Sequence, residues 1–433
     1  MQKQFSNNLL DFLEKSPCSF LAVEKASEKL DDAGFICLNN VENWHLLENG
    51  KYYITRNDSS LIAFIIGENP SDYGFRLIGS HTDSPAFAIK SNSEVKVENN
   101  YLKLNVEPYG GMILSTWFDR PLSIAGRVVL KGEDVFTPKT TTIDFKRPLA
   151  IIPNLAIHLN RTVNEGHKYS KQKEMMPLVS LIGEDFNEKG YITNLVSKEL
   201  NVPQDEILDY ELFLYEAGRG CFVGVEEELL SAGRLDDLMM VYNSLQAFID
   251  YANNDKLKGI KVLHLPDNEE VGSRTGQGAD SELLRDVLRR ICLTLFKTDE
   301  SFYSMCEKSV FMSADLAHGL HPNYPEKHDP TNHPKLNKGV CLKYSANQKY
   351  STTSVGAGIF DGLCKEAGIE YQKFVNHSDV VGGSTIGAMV ASQFNIPVID
   401  FGVVVLGMHS TRELASVNDI YDCYKLFYKF YQL

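Results

Sequence analysis

The sequence predicts an α/β fold, a mixed sheet covered by helices, with a β-rich domain inserted into it. Three observations carry this. Strand and helix patterns alternate over residues 1–91 and again over 224–433. Between 92 and 223, short alternating strands separated by turn residues take over. A chain of 433 residues is also too long for one ordinary core, so two domains are expected.

Taken in order, "NNLLDFLEKS" and "FLAVEKASEKLDDAG" have helical spacing, the second ending at Gly34. "KYYITRNDSSLIAFIIG" reads as a hairpin turning at Asn57–Asp58, and "FRLIGSHTDSP" as a strand entering a polar loop. The inserted region opens with the strand succession "SEVKVENNYLKLNVEPYGGMILSTWFDRPLSIAGRVVLKGEDVF". Strand-like stretches continue through "LAIIPNLAIHLN" and "YELFLYEAG", with a helix at "ITNLVSKEL". After Ser231, "DDLMMVYNSLQAFIDYAN" sets Leu238, Met239, Tyr242, Leu245, Phe248 and Ile249 on a helical stripe, and Met239, Met240 and Cys423 are assigned to the core. Strand 261–265 follows, then helix "DSELLRDVLRRICLTLF", strand "SVFMSADLAHG", helix "VGAGIFDGLCKEAG", strand "YQKFVNH" and helix "GSTIGAMVASQFN". Strand "PVIDFGVVVLG" and a final helix in "VNDIYDCYKLFYKFYQL" close the chain.

Composition narrows the function classes. Hydrophobic residues make up 43% and charged residues 23%, as in a globular enzyme-sized protein. A formal net charge of −14, with no basic patch, argues against nucleic acid or an anionic membrane as the main partner. The eight cysteines form no C-x-x-C pair, which predicts reduced thiols in the cytoplasm and removes cysteine-based zinc sites. The N-terminus is amphipathic rather than signal-like, and no window approaches a membrane span.

The chemistry gathers where strands end, the usual place for functional groups in open α/β sheets. After "FRLIGS" come His81 and Asp83; at the turn into the 235–252 helix come Asp236 and Asp237. "KVLHLP" runs into Asp267, Glu269 and Glu270, "VFMSA" into Asp315, His318 and His321, and "VVVLGM" into His409. One acidic run alone is a solvated turn. Five such ends on one side of one sheet would bring like charges together, and a bound cation resolves that conflict. Imidazoles with carboxylates, one of them shared, suit two metal ions: zinc first, manganese or cobalt otherwise. In His81-x-Asp83, the aspartate can accept from the far nitrogen of a ligating imidazole and fix its tautomer. Paired glutamates then fit a metal-dependent hydrolase, one binding metal and its neighbour moving the proton of the attacking water. A serine nucleophile lacks its G-x-S-x-G elbow, and "GSRTGQG" lacks the Lys-Ser/Thr of a phosphate loop.

These residues resemble the aspartyl aminopeptidase / aminopeptidase I family of dinuclear zinc exopeptidases. The resemblance rests on "GSHTDSP" (79–85), "SAGRLDDL" (231–238), "DNEEVGS" (267–273), "SADLAHGLHPNYPEKH" (313–328), "GGSTIG" (382–387) and "GMHSTRE" (407–413), in matching order and spacing. It implies a catalytic α/β domain, here 1–91 and 224–433, and an inserted β-rich dimerisation or lid domain, here 92–223. It implies one metal held by His81 and Asp315, the other by Glu270 and His409, with Asp236 bridging. Glu269 is then the general base and Asp83 orients His81. His158 matches a position that reaches a neighbouring subunit's active site, and His318, Lys343 and Tyr350 match positions lining the substrate pocket. The implied activity is removal of N-terminal residues, Asp or Glu preferred, from peptides with a free amino terminus, through metal-activated hydroxide. The implied assembly is a homo-oligomer, a tetrahedral dodecamer with active sites facing an inner chamber.

Pattern alone leaves alternatives. Lys343 also reads as an exposed strand lysine, His158 as a core or interface histidine, His321 and His328 as loop-shaping groups, and Asp267 as a loop-shaping group rather than a ligand. Asp237 competes with Asp236 as the bridge. Rival functions are a family member preferring neutral or basic N-terminal residues, a related dimetal deacylase or carboxypeptidase-like hydrolase, and a non-catalytic shell-forming protein.

Overall fold

The computed structural model describes every residue except 185 and 188. The chain divides into two units: Met1–Asp83, Gly220–Met408 and Glu413–Leu433 form the first, and Ser84–Arg219 with His409–Arg412 the second. Among the described residues, no helix is long and apolar enough to cross a membrane.

The first unit is built on a nine-stranded sheet. Its order is Ile36–Cys37, Lys51–Arg56, Ser60–Ile66, Ile260–Leu265, Phe75–Gly79, Val310–Ala314, Val398–Gly402, Val340–Lys343 and Tyr371–Phe374. The four strands from Ile260–Leu265 to Val398–Gly402 run parallel, and antiparallel pairs at Ser60–Ile66 and Val340–Lys343 make the sheet mixed. Successive side chains of a strand point to opposite faces, so both faces must be apolar. Leu61, Ala63, Ile78, Leu263, Met312 and Phe401 pack on one side, under helices that include Ser19–Asp32, Leu235–Ala252 and Val417–Gln432. Ile62, Phe64, Leu77, Val262, Phe311 and Val398 pack on the other, under Leu283–Phe296 and Ile386–Gln393. Helix Leu235–Ala252 is buried nearly all round, beyond the single stripe its spacing predicts, and Met239, Met240 and Cys423 are fully buried.

A five-stranded sheet, unforeseen in the sequence, also belongs to this unit: Cys221–Val223, Leu229–Ala232, Glu413–Ser416, Val404–Leu406 and Ala317–His318. The run "PVIDFGVVVLG", expected as one strand, is therefore two, Val398–Gly402 in the large sheet and Val404–Leu406 in the small one. The break falls at Gly402, where a Cβ would lie 1.8 Å from the Asp315 carbonyl oxygen. Only glycine lets the two segments cross that closely. "SVFMSADLAHG" is likewise divided, into Val310–Ala314 and Ala317–His318.

The second unit is the β-rich insertion. Its antiparallel sheet has the order Lys139–Asp144, Leu122–Leu130, Ile207–Glu216, Ala86–Val97, Tyr101–Tyr109 and Leu178–Leu181. Phe87, Leu104, Trp117, Ile124, Leu212 and Leu214 form its core with Ile192 and Val196 of helix Tyr191–Leu200. Two expectations need correction. The boundaries lie at 83/84 and 219/220, not 91/92 and 223/224, because Ala86–Val97 is one continuous strand of this sheet. "LAIIPNLAIHLN" is not a strand: residues 150–152 make isolated bridges, and 157–159 form a turn in which the Leu159 N–H donates to the Ala156 carbonyl oxygen. Pro153 has no N–H to continue a ladder between them.

Candidate metal centre

Three neighbouring parallel strands, Ile260–Leu265, Phe75–Gly79 and Val310–Ala314, deliver Glu269, His81 and Asp315 past the same edge of the large sheet. Beyond Gly79 the chain stays beside its neighbour, with the Ser80 N–H donating to His264 O and the Thr82 N–H to Pro266 O. That registry buries His81 and Asp83 at the sheet edge.

The Asp83 carboxylate ties the strand ends together. Its Oδ1 lies 3.2 Å from His81 Nδ1 and accepts the Glu269 N–H at 3.1 Å, while Oδ2 accepts the Glu270 N–H at 3.1 Å. One side chain thereby holds both glutamate backbones and faces the imidazole, whose Nδ1 has the Asp83 carbonyl oxygen as its hydrogen-bond partner at 3.1 Å. The 269–271 turn is further locked through Asn268, whose Oδ1 accepts from Thr275 Oγ1 and Gln277 Nε2. Asp267 caps this loop, accepting the Asn268 N–H at 2.8 Å. Burial, with the charge of Asp83 adding, pushes its carboxyl up to about 7. It joins no ligand cluster among the described residues.

With Nδ1 committed to Asp83, His81 turns Nε2 toward Asp236 Oδ1 at 3.3 Å. Asp237 instead accepts the backbone N–H of His81 at 3.1 Å. The two aspartates sit where helix Leu235–Ala252 begins with non-helical φ/ψ, and their peptide bond is cis. The Asp236 N–H is held by Glu413 Oε2 at 3.0 Å. Glu413 lies in "GMHSTRE" but received no role from the sequence, since its partner is 177 residues away. Asp315 completes the group, with Oδ2 3.5 Å from the Nζ of Lys343. Ligand-type atoms of His81, Asp236, Asp237 and Asp315 lie within 4.8 Å of one another, and so do those of His81, Glu269 and Glu270.

The electrostatics are those of crowded acids. Burial, with Asp315 and Asp236 adding, holds the Asp237 carboxyl well above its ordinary value against the opposing charge of His81. Loss of solvent pushes Glu269 up to about 8, opposed by His81 and reinforced by Asp315, Asp83 and Asp236. Burial also raises Asp315, less so for having Lys343 beside it. For His81, burial disfavours the imidazolium, but Asp237, Asp236, Asp83 and Glu269 outweigh it and raise the pKa well above 6.5. Carboxylates packed at this density share one need, a positive charge. Imidazole nitrogen and carboxylate oxygen are the donors divalent zinc, manganese and cobalt accept. The residues fit such ions, and Asp236 and Asp237 take distinct partners, His81 Nε2 and the His81 N–H respectively.

The remaining candidates are placed as follows. His409 lies in the segment 409–412 of the second unit, with Nδ1 2.7 Å from the Gly111 carbonyl oxygen. His158 is exposed in the 157–159 turn of that unit, flanked by exposed Leu155, Ile157 and Leu159, so it is no core histidine. Lys343 is not an exposed strand lysine: it is 1% exposed, donates to Leu316 O at 3.0 Å, and lies 5.1 Å from the Tyr350 ring centroid. Burial opposes its charge, but Asp315, Tyr350 and Asp400 raise its pKa. Tyr350 is buried against Phe374, which also meets the ring of the exposed His318 at 5.8 Å. Phe374 was not singled out in the sequence; "YQKFVNH" gave only a strand. His321 Nδ1 accepts the Asn323 N–H, and His328 is half-buried; neither joins a ligand cluster among the described residues.

Comparison with known proteins identifies the family. The family model described as aminopeptidase I zinc metalloprotease (M18) matches residues 12–431. A probable M18 family aminopeptidase 2 of Clostridium novyi (strain NT) is 46% identical over 431 residues, 99% of each chain. The crystal structure of yeast aminopeptidase 1 (Ape1) superposes with a TM-score of 0.88 at 28% identity, covering 100% of this chain and 97% of that one. The S. cerevisiae mApe1 dodecamer gives 0.87 at 29% identity, over 98% and 96%. The chain therefore belongs to the aminopeptidase I zinc metalloprotease (M18) family and is a metalloaminopeptidase.

Proposed function

We propose that His81, Asp236, Glu270, Asp315 and His409 hold two divalent ions, zinc in preference to manganese or cobalt, and that Glu269 is the general base. The observation that carries this reading is the Asp83 clamp: its carboxylate holds the backbones of Glu269 and Glu270 and lies 3.2 Å from His81 Nδ1, which its carbonyl oxygen also meets at 3.1 Å. When bound, the ions supply a lowered water pKa and a polarised scissile carbonyl. The chain's own residues do the rest. Asp83 keeps His81 in the tautomer that presents Nε2. Glu269 takes a proton from the attacking water and passes it to the leaving amine, and ions bound beside it would favour its carboxylate form.

The substrates are peptides with a free amino terminus, and His158, His318, Lys343 and Tyr350 are the proposed substrate-binding residues. An N-terminal Asp or Glu suits the positive charge of Lys343, whose ammonium donates a hydrogen bond to Leu316 O and lies 3.5 Å from Asp315 Oδ2. A neutral N-terminal residue is the second reading, favoured by the pairing of that same ammonium with Asp315. Hydrolysis of a panel of aminoacyl arylamides, free and N-acylated, with and without chelator, decides among these. Chelator-sensitive cleavage of free Asp and Glu arylamides is expected. Faster cleavage of Leu or Ala arylamides would overturn acidic preference, and cleavage of only the acylated compounds would make the enzyme a deacylase.

The proposed assembly is a homo-oligomer, a tetrahedral dodecamer in which His158 serves a neighbouring active site and the β-rich unit dimerises or acts as a lid. The resemblance to the mApe1 dodecamer supports it, as does the exposed apolar setting of His158. Native mass measurement showing fully active monomers would exclude it. Eight free cysteines support the cytoplasm as the compartment.

A further inference from the structure

Strand Val398–Gly402 carries an aspartate, Asp400, between apolar neighbours in the middle of the large sheet, where it is fully buried. A carboxylate there is costly unless every oxygen is answered. Both are. Oδ1 accepts from Thr385 Oγ1 at 2.5 Å, and Oδ2 accepts the Ser351 N–H at 2.5 Å. Its backbone is engaged as well: the Asp400 N–H donates to Thr352 Oγ1 at 2.9 Å. Thr385 is the residue before helix Ile386–Gln393, so the carboxylate also lies at the positive end of that helix. The fit leaves no slack, since a Cβ on Gly387 would sit 2.4 Å from Oδ1.

These partners belong to two loops that meet at the substrate side. Ser351 follows Tyr350, whose ring lies 5.1 Å from the Lys343 ammonium. Thr385 lies within "GGSTIG", and Lys349 Nζ donates across to the Gly382 carbonyl oxygen of that motif at 2.6 Å. One carboxylate beneath the sheet edge thus fastens the two loops that lace together above it.

We infer that Asp400 is a positioning residue for the substrate pocket, holding Tyr350 against Lys343 and fixing the "GGSTIG" loop beside it. This rests on the reading of Tyr350 as a substrate-side residue. The test is a KM-against-kcat comparison on an aminoacyl arylamide for the metal-loaded, full-length enzyme. Thr385→Val deletes one of the two side-chain bonds without adding bulk and should raise KM about 5- to 10-fold, leaving kcat within about 2-fold and metal content unchanged. Thr385→Ser keeps the hydroxyl and should restore KM. Asp400→Asn should raise KM further, because its amide would confront a donor; if it fails to fold, the Thr385 pair decides. An unchanged KM in Thr385→Val, or a loss confined to kcat, would overturn the inference. Tyr350→Ala separates the two readings. If it raises KM while Thr385→Val does not, Asp400 loses its role and Tyr350 keeps its own. If Tyr350→Ala leaves KM unchanged, the pocket reading of Tyr350 falls, and the inference with it.

Discussion

His81 and His264 stand on neighbouring parts of the same sheet, and each is 1% exposed, yet the protein treats them oppositely. His264 lies inside strand Ile260–Leu265, where neither ring nitrogen has a hydrogen-bond partner and burial drives its pKa down to about 3. His81 lies just past the end of Phe75–Gly79 among carboxylates, and its pKa is driven up. The lysines repeat the contrast. Lys261 is buried inside the sheet with no hydrogen-bond partner at Nζ, and burial, with Arg76 and Lys258 adding, lowers it to about 7. Lys343, equally buried at the end of its strand, is raised by Asp315. Burial alone neutralises a base; burial beside acids at a strand end makes it a working part. The position along the strand, not the degree of burial, separates the two outcomes.

The contrast can be broken from either side. The largest effect is expected beyond the strand ends: Glu269→Gln should keep its metal and lose about 10²- to 10⁴-fold in kcat, measured with metal content on the same sample. Wild-type turnover would remove the base. Next, Lys343→Met strands Asp315 without its cation and should cost the chelated protein about 3–5 kcal/mol, seen as a fall in melting temperature. Lys261→Met should do the reverse. The folded pKa of Lys261 lies below its unfolded value, so its stability contribution is present above about pH 10 and lost as pH falls toward 7. Removing the amine should therefore stabilise the protein at pH 7 by about 1–3 kcal/mol. At pH 7 the smallest effect is at His264. Its folded pKa is also depressed, so stability is present above pH 6.5 and lost as pH falls toward about 3. Relative to His264→Leu, the wild type should lose up to about 1.4 kcal/mol per pH unit in that window, read as melting temperature against pH. A parallel pH dependence in the two proteins would show that His264 is not buried as a neutral base.

The same geography explains what the sequence could and could not tell. His81, Asp83, Glu269, Glu270 and Asp315 were legible because an apolar run followed at once by ligand-type residues marks a strand end, and strand ends share one edge. Asp83 could be tied to His81 because they are two residues apart, but its hold on Glu269 and Glu270 spans 186 and 187 residues and has no local signal. Lys343 looked like an exposed lysine because alternation in "VCLKY" reports two faces, not whether both are covered. The split of "PVIDFGVVVLG" was invisible for a related reason: the chain breaks at Gly402 to pass Asp315, and a contact between two distant segments leaves no periodicity. The unit boundary was misplaced because the change of sheet, between the strand ending at Gly79 and the one starting at Ala86, precedes the change of composition that a reader sees near 92.

The central claim is that Asp83 organises the strand ends around His81 so that they hold metal. It is tested most directly by the zinc affinity of the wild type and of Asp83→Asn, measured by competition with a chelator. The variant keeps the size of the side chain and the carbonyl oxygen that meets His81 Nδ1, but it loses the negative charge beside the imidazole and offers one accepting oxygen where the Glu269 and Glu270 N–H groups each have their own. Affinity about 10- to 100-fold weaker is expected; equal affinity in the two proteins would contradict the account.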